Sequence, residues 1–250
     1  MAVFERKYVI AIRDVGVSNS LTNKAILKLF EDIASNHSEI AGYGINQMGQ
    51  THLSWVLLQW KVRVFKRAIY NETVTIKTWA RNTTKCLTYR DFEMYDEKGN
   101  LLCIASSKWA LVSTDDGKIL KIASDIIEHY NPENDKNVFG ELDIPRLTEP
   151  EVLNQSENSI KSNYTFTVLR RDIDINHHMH NLYYLDYALE ALPQEVYDNL
   201  NCNEFEIMYK SGAKVGDTIN CFYVKQSDAH FVVMKNAKDN RLHAIIKLYI

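Results

Sequence analysis

Two long helical patterns, each followed by a series of strand-like runs, organise this 250-residue chain. From Asn23 to Ala41 the positions Ile26, Leu29, Phe30, Ile33, Ala34, His37 and Ile40 recur at helical spacing, and Thr22 stands where an N-cap belongs. Ala25 and Leu27 widen the apolar face, so the helix is expected to be covered on most sides. Strand-like runs follow at Leu53–Phe65, Glu72–Ala80, Leu87–Tyr95 and Leu101–Ser113, with turn signals at Asp96–Asn100 and Asp115–Gly117. A helix followed by antiparallel strands makes an α+β unit whose sheet can wrap the helix.

Asn131 to Asn158 differs. It holds Pro132, Pro145 and Pro150 among many Asn, Asp and Glu residues, a linker composition. Beyond it the pattern starts again: a strand over Ile160–Val168, with Tyr164, Phe166 and Val168 on one side, and a helix from Asn181 to Leu192 that stops at Pro193. Further strands are expected at Glu204–Lys210, Asp217–Gln226, His230–Lys235 and Leu242–Ile250. Arg13–Asn23 aligns with Arg171–Asn181 at an offset of 158, and Asn71–Val74 resembles Gly216–Ile219 at an offset of 145. The repeated order of elements makes duplication the better explanation than chance. The copies differ at one place. Where the second has Asp174, Asn176 and His178, the first has Gly16, Ser18 and Ser20.

Composition narrows the class without naming it. The net charge of −3 argues against an extended nucleic-acid footprint. No apolar run reaches the roughly 20 residues of a membrane helix, and the first residues resemble neither a signal nor a transit peptide. Cys86, Cys103, Cys202 and Cys221 have no metal-ligand spacing and read as buried thiols, which suits a reducing cytoplasm.

Asp174, Asn176 and His178 are two residues apart, just before the second helix. In an extended segment they would project to the same side. An imidazole can move protons at neutral pH, a carboxamide can donate to an oxyanion or hold a water, and a carboxylate can orient or attack. The first N–H groups of the helix, near His180–Tyr183, offer further polarisation. The same residues equally suit a polar turn and helix cap. Metal binding by His177, His178 and His180 is disfavoured, because 177 and 178 diverge and no partner ligand has a recognised spacing. No metal or cofactor is expected.

The run Asp174-Ile175-Asn176-His177-His178-Met179-His180-Asn181-Leu182-Tyr183-Tyr184, ending in Leu189-Glu190, resembles the D-x-N-x-H-x-x-N-x-x-Y…L-E signature of acyl-acyl carrier protein thioesterases. The N-terminal helix, Gly42–Ile45, Ser54–Leu57, Arg90–Glu93 and Ser107–Trp109 also look like family segments, and the likeness spans nearly the whole chain. The resemblance implies a tandem hotdog fold, with one hotdog over residues 1–130, a linker over 131–158 and a second hotdog over 159–250. It implies thioester hydrolysis of fatty acyl-acyl carrier protein, with Asp174, Asn176 and His178 in catalytic roles. It also exposes a departure. The family's later glutamate and, in plants, a following cysteine are replaced by Gly212 and Ala213, which excludes a thiol nucleophile there and leaves a gap expected beside Asp174 and His178.

The implied partner is acidic, so Arg170, Arg171, Lys210 and Lys214 are candidates for carrier docking. The acyl chain would lie mainly in the first hotdog, with Ile26, Phe30, Trp55 and Leu57 as candidate contacts, although such residues also serve as plain core. A cytoplasmic monomer or homodimer of bacterial type fits the sequence. Two alternatives stay open: a hotdog thioesterase acting on coenzyme A thioesters, and a non-catalytic acyl-binding module.

Overall fold

The computed structural model describes residues 2–141, 143–155 and 162–250 and divides into two compact units, Met1–Ile144 and Pro145–Ile250. In the first, β1 (Phe4–Val9) precedes the long helix α1 (Asn23–Ala41) and a short α2 (Met48–Thr51). Strands β2 (Leu53–Val64), β3 (Thr73–Thr83), β4 (Leu87–Tyr95) and β5 (Leu101–Ser113) follow, then α3 (Ser124–Tyr130). The sheet runs β1-β3-β4-β5-β2, with each of these pairs antiparallel.

Helix α1 starts where the sequence places it. The Thr22 hydroxyl accepts the Ala25 N–H at 3.1 Å, and Gly42 at φ 85° closes the other end in the left-handed conformation that glycine adopts most easily. Ile26, Leu27, Phe30 and Ile33 are buried against the sheet, and the Phe30 ring stacks 4.9 Å from Phe92 beside Trp60. Burial of each large side chain contributes roughly 1.5–3 kcal/mol. Ile40, expected on the same face, lies exposed in the last turn.

The second unit contains α4 (Glu151–Gln155), β6 (Tyr164–Thr167), α5 (Asn181–Glu190) and α6 (Gln194–Asn199). Strands β7 (Glu204–Tyr209), β8 (Thr218–Lys225), β9 (Ala229–Asn236) and β10 (Leu242–Tyr249) complete it. Its sheet runs β6-β8-β9-β10-β7. In both units the first strand therefore pairs with the third, the third with the fourth, the fourth with the fifth and the fifth with the second. Each is a hotdog, a helix laid against an antiparallel sheet. Helix α6 was not anticipated; Pro193 ends one helix and stands as the N-cap of the next. The start of the expected Ile160–Val168 strand lies outside the described residues.

The duplication extends to single hydrogen bonds. Gly16 N–H donates to the Ser20 carbonyl at 3.0 Å and Asp174 N–H to His178 at 2.8 Å. Asn19 and His177, 158 apart, both sit at positive φ, 54° and 61°. Leu21 N–H donates to the Ala68 carbonyl at 2.8 Å, and Met179 N–H to Ala213 at 2.7 Å.

The stretch with linker composition packs closely in its described part. Trp79 Nε1 donates to the Lys136 carbonyl, Val138 N–H to the Asp91 carboxylate, Tyr89 to Asp143 and Lys108 to the Ile144 carbonyl. Leu147 and Leu153 instead pack on the Met208–Phe231–Val233–Ile245 cluster of the second unit. Its described residues thus form a strap on each unit, held to the first largely by main-chain hydrogen bonds and to the second by apolar packing.

One strap crosses a buried ion pair. Arg81 Nε lies 3.2 Å from Asp91 Oδ1, close enough for charge attraction although those two atoms are not aligned as a hydrogen bond. Burial pushes the Asp91 carboxyl up and Arg81 opposes it. Arg81→Met should therefore destabilise the first unit by about 3 kcal/mol or more, because it strands a buried carboxylate. Urea unfolding monitored by tryptophan fluorescence measures this, and adding Asp91→Asn should recover part of the loss.

Candidate active site

Asp174–His178 forms a closed turn, the second of the two readings the sequence left open, and not an extended segment. Asp174 N–H donates to the His178 carbonyl at 2.8 Å, His177 N–H donates back to Asp174 at 3.1 Å, and Ile173 bridges to Met179. The Asp174 carboxylate accepts the N–H of Asn176 at 2.8 Å and of His178 at 3.1 Å through one oxygen. This is the local preference of aspartate for nearby main-chain amides, and it wins over extension. The carboxylate is thus a clamp on the turn. Asn176 is exposed and His178 half-buried, and the His178 ring nitrogens make no hydrogen bond to another described residue.

The helix amides expected near His180–Tyr183 are largely occupied. The His180 ring caps α5 by accepting Leu182 N–H at 3.3 Å, Tyr183 N–H donates to the His180 carbonyl, and His180 N–H donates to Asp172. These local bonds engage the amides of His180, Leu182 and Tyr183. The exposed Asn176 carboxamide is a further donor of the sequence-derived set.

Gly212 does lie beside His178, as expected, but the expected gap is filled by the imidazole itself. A Cβ at 212 would sit 2.6 Å from His178 Cδ2 and 2.7 Å from Cγ. Gly212 has ordinary negative-side backbone, so the constraint is steric. Beside it the Ala213 N–H donates to the hydroxyl of Tyr184, a buried side chain of α5. Burial, and then the Asp174 charge, push this phenol up to about 12 against the pull of the Ala213 N–H, so it stays protonated. Tyr184 belongs to the recognised signature, yet its spacing alone carried no sign of a contact with residue 213. His243, also buried close by, stood in the sequence as a lone histidine in a strand.

Of the docking candidates, Arg170 and Lys214 line one cleft of about 440 Å³ with Ile173, His177 and Val215. Arg171 is exposed and points to Asp172 at 3.7 Å, and Lys210 is exposed outside that cleft. Of the acyl candidates, Ile26, Phe30 and Leu57 are fully packed core. Trp55 is only half-buried, and its Nε1 donates to the Tyr130 hydroxyl at 2.8 Å.

Comparison with known families decides the relationship. Residues 1–130 match the family model of the acyl-ACP thioesterase N-terminal domain, and residues 154–246 that of the C-terminal domain. The chain belongs to the acyl-ACP thioesterase family. It is 25% identical over 240 residues to an oleoyl-acyl carrier protein thioesterase of Arabidopsis thaliana, covering 90% of this chain and 64% of that protein. The chain spans less than two thirds of the length of the curated relatives it matches. In fold it resembles a 12:0-ACP thioesterase from Umbellularia californica, with TM-score 0.82, 20% identity and coverage of 100% and 97% of the two chains. An acyl-ACP thioesterase from Bacteroides thetaiotaomicron gives TM-score 0.81, 21% identity and coverage of 99% and 97%. The double hotdog is the fold of the family.

Within this family the glutamate expected at position 212 is incompatible with the His178 rotamer seen here. Gly212→Ala should turn the imidazole out of place, and Gly212→Glu should do so at least as much. The expected outcome is a shift of the His178 ring resonances in 1H–13C correlation spectra for both variants, with no gain of activity from the carboxylate. Unchanged His178 resonances in the alanine variant would remove the steric account.

Proposed function

We propose that this chain hydrolyses the thioester of fatty acyl-acyl carrier protein, releasing free fatty acid and the carrier thiol. The observation that carries the reading is the His178 imidazole, held by a closed turn with its nitrogens unclaimed among the described residues, in a chain of the acyl-ACP thioesterase family. Its relatives are named for this activity.

In this mechanism a ring nitrogen of His178 takes a proton from water as the water oxygen bonds to the thioester carbonyl carbon. The carbonyl oxygen becomes an oxyanion, and the exposed Asn176 carboxamide donates to it. Collapse breaks the C–S bond, and the imidazolium returns its proton to the departing sulfur. The carboxylic acid then loses its own proton to solvent. Asp174 serves by holding the turn, its Oδ1 accepting two amides. Arg170 and Lys214, flanking the turn, supply positive charge to an acidic carrier, with Arg171 and Lys210 adding to it.

His178→Ala should lower turnover by about two orders of magnitude or more with KM little changed, the scale of a positioned acid–base. Asn176→Ala should also lose turnover, whereas Ser20→Ala in the first unit should not. The measurement is release of fatty acid, by chromatography, from acyl-carrier protein and acyl-coenzyme A in parallel. Faster hydrolysis of the coenzyme A thioester would reassign the carrier. No hydrolysis of either substrate would leave an acyl-binding module.

A further inference from the structure

Strand β10 loses register with β9 between Leu242 and Ala244, so His243 is an extra residue in the ladder. Such bulges re-aim a side chain. Here the imidazole is fully buried. Its Nδ1 lies 2.8 Å from the Ser211 carbonyl oxygen and 3.2 Å from the Ser211 hydroxyl oxygen. A carbonyl can only accept, so Nδ1 carries the proton and Nε2 is a bare acceptor. That Nε2 is buried with no partner among the described residues. Burial holds the imidazole below its ordinary value, with the Ser211 carbonyl opposing, so the ring is neutral.

The first unit shows what the fold itself requires at this point. Lys210 and Ser211 N–H both donate to the His243 carbonyl, at 2.8 and 3.4 Å; Phe65 and Lys66 N–H both donate to the Leu102 carbonyl, at 2.8 and 3.1 Å. Leu102 is therefore the counterpart of His243, and it is buried. A leucine satisfies the same backbone without an orphaned nitrogen, whereas the histidine leaves one, and an unpaired buried acceptor is destabilising. Stability alone favours the residue the second unit does not have. What differs is the neighbour. Ser211 precedes Gly212, and the His178 ring lies on Gly212.

We propose that His243 is a positioning residue for the hydrolysis, its Nδ1–H holding the Ser211 carbonyl and thereby fixing Gly212 beneath the His178 ring. A Ser211–His243 nucleophile is excluded by the same bonds. The Ser211 hydroxyl donates to the Leu242 carbonyl at 2.7 Å, and the nitrogen facing it already bears a proton.

The role rests on His178 acting as proposed above, and three variants of the full chain test it. His243→Leu copies the first unit, His243→Asn retains a donor at the Nδ1 place, and His243→Gln moves the donor towards Nε2. Turnover in the leucine variant should fall by about tenfold or more with KM within about twofold, because positioning is lost and binding is not. Its melting temperature should hold or rise. Asparagine should restore turnover to within about threefold of the parent, and glutamine should be as slow as leucine. A folded leucine variant with parental turnover overturns the proposal, as does an asparagine variant no faster than leucine. Should the leucine variant fail to fold, equal rates for asparagine and glutamine overturn it. If His178→Ala is inactive while His243→Leu is fully active, only this role fails; if the parent hydrolyses no acyl thioester, both readings fail.

Discussion

One main-chain hydrogen bond, from Met179 N–H to the Ala213 carbonyl at 2.7 Å, holds the second unit's polar residues together. It ties the turn before α5 to the connection between β7 and β8, segments that are over 30 residues apart in sequence. Without it the His178 ring would have no reason to lie on Gly212, nor Ala213 N–H to reach Tyr184. The first unit makes the same bond between Leu21 and Ala68. The clamp is thus common to both hotdogs, whatever side chains the turn carries.

That shared clamp separates what folding demands from what reactivity demands. In the first unit the clamped turn carries Gly16, Ser18 and Ser20, with Leu102 beneath. The same main-chain bonds form with Gly16 in the place of Asp174, so a carboxylate is not needed for the turn to close. In the second unit Asp174 adds two charge-assisted amide contacts. Such bonds contribute about 1.5–3 kcal/mol where water is excluded and less at this half-exposed site. The clamp fixes the backbone, the carboxylate stiffens it, and neither imidazole nitrogen of His178 is hydrogen-bonded to another described residue. Rigidity of this kind is what an acid–base needs, since misplacement by an ångström costs far more rate than stability.

Much of this was legible in the residues. Helix α1 with its Thr22 cap, the bounds of β4 and β5, and the repeat at offsets of 158 and 145 all follow from periodicity and from aligned polar residues. Three features were not. The Asp174–His178 segment suits both an extended run and a polar turn, and alternation does not choose between them; local hydrogen bonding selects the turn. The family resemblance puts Gly212 beside His178, 34 residues away, but a glycine's sequence context does not say that the imidazole itself fills the space over its Cα. His243 interrupts the ladder through a bulge, which alternation along a single strand does not reveal. Each miss is a case of tertiary or side-chain contacts outweighing a local period.

A water attacking directly, with no acyl group passing through the protein, is the central claim of the proposed mechanism, in which Asp174 Oδ1 holds the turn and Ala213 stands where the family resemblance puts a thiol. Rapid-quench analysis of a single turnover tests it, with acyl-carrier protein limiting and both products quantified. The account predicts that carrier thiol and free fatty acid appear together at one rate, with the protein's intact mass unchanged throughout. A burst of thiol running ahead of fatty acid, with the missing acyl mass found on the protein, would contradict it.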